Sequence, residues 1–522
     1  MFKTLITGGT IIDGTGNVGF HGAIAVDETG RVKVLTGDVT GVQARSTIDA
    51  TGMVVCPGFI DVHTHSDLAA LADPLDECKI RQGVTTDFIG LDGMGYAPLS
   101  SDNLRHMLRI WSGISGYPEL KYDWASVAEY LERYRGTTST NIGFLVPNGC
   151  LRAEVVGWDD RSATPSEIKQ MQDLLRRAMN EGALGLSTGL TYPPGSYART
   201  DELVELCRTV AECGGVYATH VRYDLGDNAL DGFREAVKIG QLSGCPVHIS
   251  HYATIIATRG RPDLLLSIVD DARQRGMDVT FDSYPWPAGS SYLCAALPGW
   301  AQDGGPERLL SYLRDEKGRE AMRCAAPPLS GAASQLVISA VSSEKNRWCE
   351  GMTVEAIAQK LNKDVWDTVC DLLLDEHLGV AYYTFTGHMD DVRTIMVHPA
   401  QMVCTDGLRV GTMPNPRTYG TYPKILGQMV RDEHLMTLEQ AIRKMTSFPA
   451  QRFGLADRGI LRDGMAADIV VFDPYTVSCV ATFENPRQFP LGIEYVFVNG
   501  TIVVERGKHT QATPGVPVMM SR

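Results

Sequence analysis

The middle of the chain alternates short apolar runs with longer amphipathic stretches. The apolar runs are rich in β-branched residues and end in polar residues, a pattern typical of strands buried on both faces. Eight such runs occur, at 54–63, 84–90, 141–147, 183–188, 216–221, 246–251, 277–283 and 402–406. Eight strands alternating with helices over roughly 400 residues predict an α/β fold, a (β/α)8 TIM-like barrel, in preference to an open sheet.

Two of the amphipathic stretches carry clear helix starts. Thr164 is followed by Pro165 at the first helical position and by Glu167, which completes a capping box. Thr437 and Gln440 repeat the same device. Both segments are therefore predicted to be helices that begin at these threonines.

Both ends of the chain have a different, β-rich pattern. Residues 1–53 read as short strands and turns, and Asn499-Gly500 separates two β-rich runs near the other end. We predict one small β-sandwich domain built from both termini, 1–56 and 456–522, around a catalytic barrel at 57–455. The gap between the seventh and eighth strands is too long for a loop and predicts an inserted subdomain at about 287–350.

Composition narrows the class of protein. The 522 residues are 44% hydrophobic and 21% charged, as in ordinary globular proteins, and the formal net charge is −14. An acidic chain is a poor partner for nucleic acid or for an anionic membrane surface, and no long apolar run predicts a membrane span. No export signal is recognisable, so we expect a cytoplasmic protein whose twelve cysteines are reduced thiols.

The candidate chemistry lies where the predicted strands end. His63 and His65 close the first strand and project from one face, with Asp61, Ser66 and Asp67 nearby as oxygen ligands or acceptors. Three more metal-type ligands end later strands: His220, His251 and Asp406. Because barrel active sites form at the carboxyl ends of the strands, these side chains should converge. Imidazoles with carboxylates suit zinc, and the set has room for one or two ions.

Three other histidines are predicted to lie outside this set. His248 is three residues before His251, so it should face the opposite side of the strand and be structural. His388 and His398 precede the last strand in polar segments, where a surface position or support of another ligand is expected.

Longer motifs resemble a known family. They include PGFIDVHTHSD at 57–67, GALGLSTGLTYPPGSYA at 182–198, ATHVR at 218–222 and FDSYPWPAGSS at 281–291. Further matches are DDVRTIMVHP at 390–399, PRTYGTYPKILG at 416–427, KMTSFPAQRFGL at 444–455 and ADIVVFDP at 467–474. The chain resembles the amidohydrolase superfamily and, more narrowly, the N-acyl-D-amino-acid deacylases (D-aminoacylases), over nearly its whole length.

This resemblance implies a role for each matching residue. One zinc ion would be held by His63, His65 and Asp406, and a second by His220 and His251. Asp406 would also take a proton from the activated water and pass it to the leaving amine. Tyr192, Tyr284 and Arg417 match positions that contact substrate in the family, and a guanidinium suits a carboxylate.

The chain departs from the family pattern after the second strand. The family reads GNCG there, and its cysteine bridges the metals, whereas this chain reads Gly90-Leu91-Asp92-Gly93. Asp92 therefore stands where the bridging thiolate is expected. A carboxylate is a harder ligand than a thiolate, so one site is expected to be occupied more weakly or the metal to differ. We expect Asp92 to be a metal ligand, in preference to a residue that only supports other ligands.

A second departure follows the sixth strand. The family carries a lysine two positions after the histidine, where it helps to bind the substrate carboxylate, but this chain has Ala253. Arg222, Arg259 or Arg261 could supply the missing cation, and Arg222 is the substrate-contact candidate among them. Otherwise the carboxylate is held differently, or the substrate has none.

Together these features predict a zinc-dependent hydrolase of a small molecule. It would cleave an amide-type C–N bond, other than a peptide bond, of an N-acyl-D-amino acid or related N-acylated compound by metal-activated hydroxide. A cyclic-amide or carbamoyl hydrolase is the nearest alternative, disfavoured because no lysine ends the middle strands to bridge two metals. A non-catalytic scaffold is a second alternative, disfavoured because the ligand set is complete. Neither a nucleic-acid nor a membrane partner is expected, and assembly into a homo-oligomer is left open.

Overall fold

A computed structural model describes residues 1–223, 230–325 and 332–520. Its central feature is a set of eight short buried strands, one from each predicted run. In chain order they are β1 (Phe59–Asp61), β2 (Val84–Ile89), β3 (Asn141–Phe144), β4 (Gly185–Gly189), β5 (Val216–His220), β6 (Val247–Ile249), β7 (Val279–Ser283) and β8 (Gln401–Val403). The predicted barrel strands are therefore present.

The eight strands run parallel and pair in sequence order. β1, β2 and β3 form one sheet, and β4 to β8 form another. Val146–Pro147, a two-residue strand just after β3, pairs with β4 and belongs to the second sheet. Bonds at the strand ends close the gap between β8 and β1: the Asp406 amide donates to the His63 carbonyl at 2.8 Å, and the Tyr422 hydroxyl donates to the Ile60 carbonyl at 3.0 Å. The carboxyl ends of all eight strands consequently face one opening, as the fold requires.

The first predicted run divides between two domains. Val54–Pro57 pairs with a sheet of the β domain, whereas β1 pairs with β2. Gly58 makes the junction possible, because a Cβ at this position would lie 2.2 Å from Thr85 Oγ1. A close approach of this kind excludes any side chain, so the strand changes sheet at the one residue that has none.

Helices surround the barrel strands. The capping boxes predicted at Thr164 and Thr437 are both present, and they begin the helices Pro165–Asn180 and Leu438–Met445. Among the described residues, the other α-helices are Asp67–Ala72, Glu77–Ile80, Ser101–Ile110, Ser112–Ser115, Val127–Glu132, Asn148–Val155, Thr200–Glu212, Asp231–Ser243, Pro262–Gln274, Pro306–Arg314, Glu316–Ala325, Val354–Leu361, Val365–Asp375, Met389–Met396, Arg417–Lys424 and Ser447–Arg452, with a π-helix at Ile425–Asp432. Short 3-10 helices lie at Gly195–Tyr197, Ile256–Thr258, Leu293–Ala296, Gly299–Gln302 and Glu344–Cys349.

Two further sheets are built from the ends of the chain, and one of them combines both ends. The first contains four strands from the N-terminal part, in the order Val32–Leu35, Ala23–Val26, Phe2–Thr7, Ala44–Asp49. The second has seven strands: Lys508–His509, Thr501–Glu505, Ile493–Val498, Ile469–Phe472, Val54–Pro57, Thr10–Ile11 and Phe20–His21. Residues from both termini pair within this second sheet, as expected for one β domain. The boundaries at 56 and 456 stay a prediction.

The segment between β7 and β8 forms its own three-stranded sheet. Val380–Thr384 is the central strand and pairs with Gly289–Tyr292 on one side and Leu336–Val341 on the other. The inserted subdomain predicted at about 287–350 does not include this central strand, and its boundaries stay a prediction. Part of the sheet reaches the opening of the barrel.

The interior is apolar and contains most of the thiols. All twelve cysteines are free, and nine of them are buried. In the described part of the chain, no helix is both long enough and apolar enough to cross a membrane.

Candidate metal centre

Four predicted ligands meet at the opening of the barrel. His63 and His65 follow β1, and their Nε2 atoms lie 3.8 and 3.3 Å from Asp406 Oδ1, which follows β8. The same two Nε2 atoms lie 3.4 and 3.6 Å from Asp92 Oδ2. Ligands about 2.1 Å from a tetrahedral zinc ion would be about 3.4 Å apart, so this spacing fits a metal site.

A second group of potential ligands shares Asp92 with the first. Asp92 Oδ2 lies 3.7 Å from His220 Nδ1 and 3.3 Å from His251 Nε2. The two imidazoles approach each other to 2.9 Å, and His220 Nε2 contacts Thr191 Oγ1 at 2.5 Å. Among the residues that the structure describes there are therefore two possible metal sites, one with four ligands and one with three, and Asp92 is common to both.

The loop after β2 must come close to β4 to place Asp92. A Cβ on Gly189 would lie 1.8 Å from the Asp92 carbonyl oxygen, so this approach requires glycine. Asp92 itself has a backbone φ of +54°, a left-handed conformation that residues other than glycine seldom adopt. Gly93 donates its amide to Ser187 Oγ at 3.1 Å and fixes the turn.

The ligand atoms are buried, and several have no partner within the protein. His63 Nε2 and Asp92 Oδ1 make no hydrogen bond. Burial by itself would raise the pKa of Asp92, but His63 and His251 hold that pKa well below its ordinary value. Buried imidazoles and carboxylates without hydrogen-bond partners are costly, and a bound cation is the usual compensation. The donor set therefore fits a metal ion.

Asp406 has a second, different neighbour. Its Oδ2 lies 2.8 Å from Arg417 Nη2, while Oδ1 faces the histidines. Burial raises the pKa of Asp406, but Arg417 and His65 outweigh that effect and lower the pKa below its ordinary value. Arg417 is completely buried, with its guanidinium 4.2 Å from the centre of the Tyr284 ring. Asp406 is thereby held in the ionised form.

A cavity of about 210 Å³ opens onto both groups of ligands. Tyr192 and Tyr284, two of the four predicted substrate contacts, line it together with Ala253. Arg222 and Arg417 do not line it. Arg222 is engaged elsewhere, with Glu235 Oε2 at 3.2 Å and the carbonyls of Ser196 and Ala198 at 2.7 and 2.8 Å.

The remaining candidates lie outside both groups of ligands. Asp61 faces Lys79, and the hydroxyls of Ser66 and Thr64 are hydrogen-bonded to each other at 2.9 Å. Asp67 accepts a hydrogen bond from the Gly90 amide at 3.2 Å. Among the other histidines, His388 is exposed, His398 pairs with Asp270 at 3.0 Å, and His248 is fully buried and does not line the cavity.

A buried charge network behind the site was not expected from the sequence. Lys79 Nζ lies 2.5 Å from both Asp61 Oδ2 and Thr405 Oγ1, and none of the three residues is exposed. Asp61 Oδ1 accepts the amide of Thr405 at 2.9 Å. This network joins the end of β1 to the residue before Asp406. The only sequence signal is Asp61 within the apolar first run, because Lys79 lies in a polar stretch, 76–82, that gives no sign of burial.

Lys79→Met is expected to destabilise the protein by about 3–5 kcal/mol, because the substitution leaves the Asp61 carboxylate buried without its cation. Urea denaturation followed by fluorescence measures the loss. The double variant Lys79→Met/Asp61→Asn removes both charges and should recover part of the stability. A single variant as stable as the wild type would contradict this account of the network.

Comparison with known proteins agrees with this geometry. The model of the Amidohydrolase family matches residues 46–300 and 366–504. A D-aminoacylase of Alcaligenes xylosoxydans xylosoxydans is 36% identical over 512 residues, which cover 96% of this chain and 94% of that protein. A solved D-aminoacylase, studied for one-metal activation and second-metal attenuation of its binuclear centre, is 34% identical with a TM-score of 0.84, and both chains are covered completely.

A third comparison concerns a related activity. The N-acyl-D-glutamate deacylase of Bordetella bronchiseptica, solved with zinc and a phosphonate mimic of the tetrahedral intermediate, is 31% identical. Its TM-score is 0.84, and all of both chains is covered.

The barrel and its clustered ligands define a metal-dependent hydrolase. The chain belongs to the amidohydrolase family, and within it to the enzymes that resemble D-aminoacylase, which act on C–N bonds other than peptide bonds. The resemblance found in the sequence is thereby confirmed.

Proposed function

We propose that this protein is a zinc-dependent deacylase of N-acyl-D-amino acids. The observation that carries the proposal is the pair of ligand groups that share Asp92 at the opening of the barrel. The relatives supply the substrate class, since three that match nearly the whole chain are a D-aminoacylase and deacylases of N-acyl-D-aspartate and N-acyl-D-glutamate. A complete ligand set argues against a scaffold without activity.

We assign His63, His65, Asp92 and Asp406 to one metal ion, and His220, His251 and Asp92 to a second. The choice of zinc rests on the mixture of imidazole and carboxylate ligands and on the spacing of the ligand atoms. When bound there, zinc would polarise the substrate carbonyl and lower the pKa of a water molecule toward neutrality.

Asp406 is the residue we assign to proton transfer. Its carboxylate lies at the cavity wall, and Arg417 keeps it charged, so it can accept a proton from the attacking water. The same group can then deliver that proton to the nitrogen of the departing amine. We assign Arg417 to holding Asp406 Oδ2. This role takes the place of the contact with the substrate carboxylate that the resemblance implies.

The cavity favours a substrate with an uncharged side chain. No lysine or arginine of the described residues lines it, and its wall combines apolar residues with hydroxyl groups. Met94, Ile114 and Ile255 are the aliphatic members; the hydroxyl members are Tyr192, Tyr223, Tyr284, Tyr382, Thr254, Ser290, Ser291, Thr384 and Thr386. Arg259 does not replace the missing lysine, because it donates to the carbonyls of Phe385 and Thr386. Because the wall already offers no lysine or arginine to the α-carboxylate, a second carboxylate on the substrate would add another charge without a counter-charge.

The test is a comparison of substrates with the zinc-loaded enzyme. We expect kcat/KM for N-acetyl-D-leucine and N-acetyl-D-methionine to exceed that for N-acetyl-D-aspartate and N-acetyl-D-glutamate by about tenfold or more, the effect of one unpaired buried charge or polar group. The L-isomers and cyclic amides serve as negative controls. Hydrolysis of cyclic amides alone would overturn the proposal in favour of a cyclic-amide hydrolase.

Ala253→Lys should raise activity on N-acyl-D-amino acids by supplying a cation for the carboxylate that they all carry. The added ammonium group would enter the cavity wall at the position where the family has a lysine, so we expect kcat/KM for N-acetyl-D-leucine and for N-acetyl-D-glutamate to rise about tenfold. Ala253→Met is the matched control, since it adds similar length without charge. An equal rise in both variants would show that size, not charge, limits these substrates.

A further inference from the structure

We propose that Asp282 is a positioning residue that holds one ligand of each metal site. The inference rests on the proposed metal-dependent function. It concerns a residue in the middle of β7, which touches neither the cavity nor the ligand atoms that face the metals. Its side chain is completely buried beneath the two groups of ligands.

Asp282 uses its two oxygens on two different ligands. Oδ1 accepts the backbone amide of His251 at 2.6 Å, and Oδ2 lies 3.6 Å from Nδ1 of His63. His63 belongs to the group with Asp406, and His251 belongs to the group with His220. One carboxylate thus connects both groups.

The contact with His251 explains an unusual backbone conformation. His251 has φ of +34°, in the left-handed region that disfavours residues with a Cβ. Such conformations persist where the surrounding structure fixes them, and here the short bond from the His251 amide to Asp282 does so. In this conformation, the imidazole Nε2 of His251 is directed at Asp92 Oδ2 at 3.3 Å.

Asp282 also bears on which ring nitrogen of His63 faces the metal, through an electrostatic contact at 3.6 Å that is longer than a hydrogen bond. Asp282 lies on the Nδ1 side, while Nε2 faces Asp92 and Asp406. A carboxylate behind a metal-binding histidine favours a proton on the nearer nitrogen, so the farther nitrogen keeps its lone pair for the metal.

His248 fixes the carboxylate of Asp282 in turn. Its Nε2 lies 2.9 Å from Asp282 Oδ2, and its Nδ1 lies 2.9 Å from the hydroxyl of Thr280. Because an ionised carboxylate only accepts hydrogen bonds, Nε2 carries the proton and Nδ1 accepts from Thr280. The sequence predicts a structural histidine here. His248 connects Thr280 to Asp282, and Asp282 lies next to His63, so this structural histidine should also affect metal binding.

The experiment measures zinc affinity at both sites, by competition with a chelator, in Asp282→Asn and His248→Gln. We expect Asp282→Asn to weaken both sites by about 10- to 100-fold and His248→Gln to weaken them less, by about tenfold. Excess zinc should restore part of the kcat of each variant, with KM little changed.

Glu202→Gln is the matched control. Glu202 is a buried carboxylate paired with Arg152 at 2.5 Å, away from both groups of ligands. This variant should be less stable but should bind zinc as the wild type does. If Asp282→Asn does not fold, His248→Gln decides alone.

Wild-type zinc affinity in the Asp282 and His248 variants would overturn the positioning role, and so would an equal loss in Glu202→Gln. A wild type that binds two zinc ions but leaves N-acyl-D-amino acids intact would overturn the proposed substrate, and the affinity comparison would still decide the role of Asp282. A wild type that binds no zinc would overturn both.

Discussion

Asp406→Asn is expected to lower kcat by about 1,000-fold, because the amide can neither take a proton from the attacking water nor deliver one to the leaving amine. The asparagine side chain has the size of the carboxylate, so the cavity should be preserved. The hydrogen bond from the backbone N–H of residue 406 to the His63 carbonyl should also remain. Steady-state hydrolysis of N-acetyl-D-leucine, with zinc counted per chain, measures the effect.

Excess zinc separates the two roles of Asp406. If the carboxylate were only a metal ligand, saturating zinc would restore kcat of Asp406→Asn to the wild-type value, and the assignment of proton transfer would be wrong. Glu376→Gln is a suitable control, because Glu376 is a buried carboxylate that accepts from Ser343 and Asn346 in the inserted segment. We expect this control to keep kcat while losing stability.

The barrel could be predicted because buried parallel strands leave a simple pattern. Each of the eight runs contains a strand, and both capping boxes begin helices where Thr164 and Thr437 stand. The change of sheet at Gly58 could not be predicted, since it depends on how close Thr85 comes in space. The central strand Val380–Thr384 of the inserted sheet was missed because helices separate it from its partners in the chain.

The ligands could be predicted for a similar reason, and their supports could not. His63, His220, His251 and Asp406 end strands that share one direction, so their convergence follows from topology. The partners of Arg222 and Arg417 depend on which carboxylate lies nearest after folding. Arg222 pairs with Glu235, and Arg417 pairs with Asp406, rather than with a substrate. Asp282 did give a signal, a charged residue within a buried strand, but its partners are distant in sequence.

Asp92 is the residue that most clearly distinguishes this chain from the family pattern. Its Oδ2 lies within 3.3–3.7 Å of four imidazole nitrogens, and its Oδ1 has no partner within the protein. A carboxylate can bind two metals through one oxygen or through two. Either arrangement makes both sites depend on the same side chain, so its removal should affect them together.

Asp92→Ala is therefore expected to lower zinc affinity at both sites by at least about 100-fold, more than the loss of a residue behind a ligand causes. Zinc should be lost from both sites on dialysis, with the bound zinc per chain measured by atomic emission. Asp92→Cys replaces the carboxylate with the softer thiolate of the family. It should keep both ions and should raise the preference for cadmium over zinc.

Asp87→Asn is the matched control for this experiment. Asp87 is equally buried, lies on β2 five residues before Asp92, and faces Lys79 at 3.9 Å away from the ligands. Burial raises the pKa of Asp87 well above its ordinary value, so the neutral amide resembles the protonated acid and zinc affinity should not change. Two tightly bound zinc ions in Asp92→Ala would exclude Asp92 as a ligand. A loss confined to one site would show that Asp92 binds a single metal and that the other site is held by histidines and Asp406 alone.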